Sequence, residues 1–126
     1  MNTNNVVSQV ASADLAGKEH QLVKLTSTGI AIAASTDRNI GTLLRAHVKQ
    51  ESGSAVGKAC DVYLTKGGTV AYATLGATSA AIALGAGLIA DAANPGYLVP
   101  SESSPIAIAW QAVTGAHGSI INVLFL

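Results

Sequence analysis

Apolar and polar positions alternate with a period of two along most of this chain, most clearly towards its end. From Pro105 to Ala112 the run PIAIAWQA puts Ile106, Ile108 and Trp110 on one face of a strand, and that face is predicted to meet the core. After the turn-forming stretch Thr114 to Gly118, SIINVLFL carries Ile121, Val123 and Phe125 on one face and Ile120, Asn122, Leu124 and Leu126 on the other. Alternation on both sides of a short Gly-containing loop predicts a closing hairpin.

The same pattern recurs upstream. His20 to Thr26 (HQLVKLT) reads as a strand, Ser27 to Gly29 as a turn and Ile30 to Ala33 as the returning strand, a first hairpin. Ser35 to Asn39 is a polar loop, and Ile40 to Val48 is a strand entered through Gly41. Gln50 to Gly57 has a loop composition. Lys58 to Thr65 follows with Cys60, Val62 and Leu64 on one face, and Lys66 to Gly68 turns it into Thr69 to Ala73, a second hairpin. Leu75 to Asp91 leaves two readings open. The run TSAAIAL suits a short helix capped at Thr78 or Ser79, or a strand, and Gly85 and Gly87 argue against a long helix. The expectation there is a loop with one helical turn, or an extended crossing, and then a short strand at Leu88 to Ala90. Asn94 to Gly96 marks a tight turn before a brief pairing at Tyr97 to Val99.

Residues 1–17 are polar and Asn- and Ser-rich, with apolar points at Val6, Val7 and Val10. They read as an extended N-terminal arm, mobile or ordered by a neighbour. Residues 18–126 read as a single β domain. Short strands with turn signals about every ten residues predict an all-β fold, a small β-barrel or β-sandwich of hairpins. No internal repeat of fixed period is visible.

Composition narrows the function classes. A chain of 126 residues buries roughly two thirds of the surface its unfolded form exposes. Its residues are 49% hydrophobic with only one Trp, three Tyr and one Phe, so Ala, Val, Ile and Leu must fill the core. Seven basic and seven acidic residues cancel. The charged fraction of 11% lies far below the roughly 25% of ordinary domains. No clustered basic face suits a nucleic acid, and a surface so poor in charge suits a subunit packed against copies or partners. The start lacks the pattern of a secretion signal, and the apolar run Ala80 to Ala90 is too short to span a bilayer.

Reactive chemistry is sparse. Cys60 is the only cysteine and sits in a strand, where a buried free thiol is expected. Gly53 to Ala59 (GSAVGKA) lacks the spacing and the hydroxyl residue of a phosphate loop. Gly85, Gly87 and Ala90 fit G-x-G-x-x-A, but Pro95 stops any helix that would complete the motif. His20, His47 and His117 have no ligand-spaced partner. His117 is expected to be exposed in the final loop. Asp61 and Asp91 lie on unrelated segments, and Trp110 is expected to anchor the core. No catalytic, cofactor or metal residues are therefore assigned, and the chain is not expected to be an enzyme.

The order LVKLTSTGIAIA, IGTLL, KACDVYLTKGGTVAYA, LGAGLIADAANPGYLV and IAIAWQAVTGAHGSIINVLF resembles the head decoration, or capsid cement, proteins of tailed bacteriophages, over roughly Leu22 to Leu126. The resemblance implies a non-enzymatic virion protein, made in the host cytoplasm, without a cofactor. It would bind the outer capsid surface, often as homotrimers, and strengthen contacts between major capsid protein subunits. The arm residues Val6, Val7 and Val10 and the exposed loops would grip the shell. Two other readings stand beside it: another phage component such as a fibre-base or tail accessory protein, and a small ligand-binding β-barrel.

Overall fold

The computed structural model describes residues 6–15, 17–46, 59–65, 67–76, 81–114 and 117–126. Among these the chain is all-β, without helices. In chain order the strands are β1 (Val6–Val10), β2 (Leu22–Thr26), β3 (Gly29–Ile32), β4 (Gly41–Ala46), β5 (Ala59–Leu64), β6 (Thr69–Thr74), β7 (Ala81–Ile82), β8 (Gly87–Ala90), β9 (Leu98–Pro100), β10 (Ala107–Ala109), β11 (Val113–Thr114) and β12 (Ile120–Phe125). They form two five-stranded antiparallel sheets, ordered β1-β5-β4-β2-β3 and β6-β12-β10-β8-β9, with β7 and β11 as a two-stranded ribbon. The arrangement is sandwich-like and is not closed into a barrel.

The first hairpin forms as its sequence predicts, with Thr26 opposite Gly29 across the two-residue turn Ser27-Thr28. The extended arm segment Val6–Val10 lies along the edge of the first sheet, Val6 opposite Tyr63 and Val10 opposite Ala59. Beyond it Ala11 and Leu15 are buried. The second hairpin does not form. Both edges of β5 are already occupied, by β1 and by β4, so the turn at Gly67 and Gly68 carries the chain out of the first sheet and into the second. There β6 pairs with β12 along its full length. The region left open between helix and strand contributes β7 and β8, while Thr78 and Ser79 lie outside the described residues.

Each sheet has its own buried cluster. Ala11, Leu15, Val23, Ile30, Leu43, Cys60 and Val62 fill the first. Ala71, Ala73, Leu75, Leu88, Leu98, Ala107, Ala109, Ile121, Val123 and Phe125 fill the second, where Leu22 and Ala33 from the first sheet join them. Side-chain burial at roughly 1.5 to 3 kcal/mol per large aliphatic residue makes these clusters the main source of stability, and Leu22 carries the first sheet into the second cluster.

The two sheets repeat one plan. Numbered within each sheet in chain order, and setting the ribbon aside, both run first, fifth, fourth, second, third. The register agrees residue by residue. Val23 faces Gly41 as Leu88 faces Ala107, Leu43 faces Val62 as Ala109 faces Val123, and Val7 faces Val62 as Ala71 faces Val123. In each sheet the residue after the first strand makes a parallel bridge to the third strand, Ala11 to Ile30 and Leu75 to Leu98. Hydrogen bonds follow suit: His20 N–H donates to Leu43 O at 2.6 Å and Gly85 N–H to Ala109 O at 2.8 Å. His20 and Gly85 both have positive φ, 67° and 88°. The repeat, absent from the sequence as a fixed period, is plain in the backbone, because pairing geometry constrains positions and face but not residue identity.

Candidate interaction surface

The closing strands correct one expectation. In β10 it is Ala107 and Ala109 that point into the cluster; of the face expected inside, Ile106 is half-buried and packs against the cluster, Ile108 is half-buried, and Trp110, just beyond the strand, is 51% exposed. A shift of one position exchanges the faces of a strand, and both faces here are apolar. The small face is the inner one, where Ala107 lies between Leu88 and Phe125 and Ala109 lies opposite Val123. For β12 the alternation left two faces open, and the structure buries Ile121, Val123 and Phe125.

The outer face of the second sheet is consequently apolar. Gly87, Ile108, Leu124 and Val70 sit in register across β8, β10, β12 and β6. Trp110 and Ile120, each 51% exposed, lie further along this face, with half-buried Asn122 between Ile120 and Leu124. Leu84, 67% exposed, forms the rim of a groove of about 270 Å³ with Gly85, Ile108, Ala109 and Trp110. Exposed aromatic and aliphatic residues gathered on one face mark a surface made to be covered. A second groove, of about 310 Å³, lies between the sheets, with Val6, His20, Thr42, Leu44 and Tyr63 on one wall and Val70, Ala71, Tyr72 and Asn122 on the other.

The arm valines are accessible. Val7 and Val10 are each 40% exposed on the edge strand, Val6 is half-buried, and Ser8 between them donates to Asp61 Oδ1 at 2.9 Å.

The remaining candidates do not converge. Asp61 lies on β5 of the first sheet and Asp91 in the loop between β8 and β9 of the second. Asp91 is buried and organises its own loop, accepting from Ala93 N–H at 2.9 Å and from Asn94 Nδ2 at 2.8 Å, the role of an Asx turn. His20 packs its ring edge-on to Tyr72 at 5.4 Å. His117 is exposed, as predicted, and stacks on Tyr97 at 5.0 Å. His47 and Gly53 to Lys58 lie outside the described residues. Cys60 is fully buried. Among the described residues no three His, Cys, Asp or Glu side chains gather as metal ligands. Asp37 is held below the usual carboxylate range by its hydrogen bond from Lys24 Nζ at 2.8 Å and by Ala34 N–H.

The sequence did not single out Leu84, Ile108 and Ile120 as surface residues. The available signal was that β12 is apolar on both faces, which a strand covered on one side only does not need.

No family model matches the chain, and no curated protein matches it.

Proposed function

We propose that this chain is a structural virion protein that binds the outside of a phage capsid and stabilises the shell. The observation that carries the proposal is the apolar outer face of the second sheet, set on a chain with only 11% charged residues. Such a face is a liability on a free protein and an asset on one whose working state is packed against others. Its partners are then the major capsid protein and further copies of itself, with trimers favoured by the resemblance, and the edge strand with Val6, Val7 and Val10 adds to the grip. Many copies each favouring the completed shell by their own binding free energy multiply a modest contact into large particle stability.

Co-sedimentation with purified, undecorated heads tests this. Binding that saturates at a fixed number of copies per capsomer is the expected result. Absence of saturable binding at micromolar protein would remove the proposal and favour a tail or fibre-base role.

A further inference from the structure

The repeated plan makes the packing between the two sheets informative, because each surface in that contact has a counterpart elsewhere in the chain. The first sheet contributes its outer row, Leu22, Thr42, Tyr63 and Val6, which is in register across β2, β4, β5 and β1. Leu22 and Tyr63 reach the second cluster, and His20, Thr42 and Leu44 form the wall of the groove between the sheets. The second sheet contributes its leading strand: the Tyr72 and His20 rings meet at a steep angle, and Thr74 Oγ1 donates to His20 O at 3.1 Å.

The counterparts are open at Leu84, Trp110, Ser8 and Val10, whereas the Gly87 end of the row is buried beneath Ser101 and Glu102 and Val70 lies on the groove between the sheets. By register, the outer row of the second sheet is Gly87, Ile108, Leu124 and Val70, the apolar face described above. Its groove of Gly85, Ile108 and Trp110 stands where His20, Thr42 and Leu44 stand in the first sheet. The leading strand of the first sheet is β1, where Ser8 and Val10 take the places of Tyr72 and Thr74, and both are exposed. We propose that these two surfaces join between copies: the Leu84, Ile108 and Trp110 groove of one chain docks on the Ser8 and Val10 edge of the next, repeating between chains the contact already made within each.

The interface is heterologous, so it does not cap itself and propagates into a ring or a longer array. It is weaker than its model inside the chain. There the loop from Ala92 to Gly96 clasps the first sheet, with Leu22 N–H donating to Gly96 O at 2.9 Å and Gly96 N–H to Ala33 O at 2.8 Å. The matching turn in the first sheet is only Ser27-Thr28, too short for such a clasp. The docking deepens the self-association proposed above by naming its surfaces. It is tested without capsids, so its failure and a failure of shell binding are told apart.

The test is sedimentation velocity on the full chain from about 1 μM to about 1 mM, with Trp110→Glu blocking the groove and Val10→Glu blocking the edge. Wild type is expected to gain mass with concentration, and Trp110 emission to move to shorter wavelength as it does so. Each variant alone is expected to stay monomeric, its self-association weakened at least tenfold. An equimolar mixture of the two is expected to stop at a 1:1 dimer, because one intact groove and one intact edge remain. If either variant fails to match the wild-type circular dichroism, Leu84→Glu and Val10→Gln replace the pair. Wild type that stays monomeric to about 1 mM, a single variant that associates as wild type does, or a mixture that stays monomeric while wild type associates would each overturn the proposal. The last outcome would indicate a self-complementary interface instead.

Discussion

At the scale of single residues, Gly29 shows how a position legible in the sequence has a cause that is not. The turn at Ser27 to Gly29 follows from composition. The need for glycine comes from elsewhere: φ is 146°, and a Cβ there would overlap the carbonyl oxygen of Val10 where β1 passes β3. Gly29→Ala is expected to lower stability by about 2 to 4 kcal/mol in urea titration, strain and overlap together. Asp37 makes a pH prediction of definite sign. Its folded pKa lies below the ordinary aspartate value because Lys24 and Ala34 N–H favour the carboxylate. Its contribution is therefore present above the ordinary carboxylate value and lost as pH falls through the depressed one. Asp37→Asn is expected to flatten the acid limb of the stability curve below about pH 4 and to leave its shape at neutral pH unchanged.

At the scale of elements, alternation located the strands but left two choices to the tertiary structure. One is the face of β10. Placing Ala107 and Ala109 inside predicts that Ala109→Leu costs about 1 to 3 kcal/mol by overpacking, whereas Trp110→Ser costs about 1 kcal/mol or less. Thermal or urea denaturation of the two variants distinguishes this face from the one favoured by side-chain size alone. The other choice is the partner of β5. Local pattern favoured a hairpin with β6, since a short Gly-rich turn joins them. Competition for edges decided otherwise, because a strand has two edges and β1 and β4 hold both. β1 is remote in sequence and β4, the preceding strand, is joined only through residues 47–58, so no short window of local pattern contains the answer.

At the scale of the whole molecule, two curled sheets of the same plan are joined through Leu22, which belongs to a strand of the first sheet and is 1% exposed in the cluster of the second. The joint predicts one cooperative unit. Urea transitions followed by Trp110 fluorescence in the second sheet and by Cys60 thiol accessibility in the first are expected to coincide. Leu22→Ala is expected to lower the stability seen by both probes by about 2 to 5 kcal/mol. Displacement of only the Cys60 transition would show that the sheets unfold independently.

The sequence by itself determined that the chain is all-β, where most of its strands and turns lie, that β12 alternates Ile121, Val123 and Phe125 against Ile120, Asn122 and Leu124, and that little charge is available to keep its surface apart from others. These properties are carried by neighbours in the chain: the two-residue period, the turn formers and the composition. Only the tertiary structure decided that the strands sort into two sheets of one plan, that β5 and β6 part company, that Trp110 faces outward and that an apolar face is left uncovered. Those outcomes depend on which distant strands compete for the same edges and on which side chains fit the same interior volume, quantities that exist only once the chain has closed on itself.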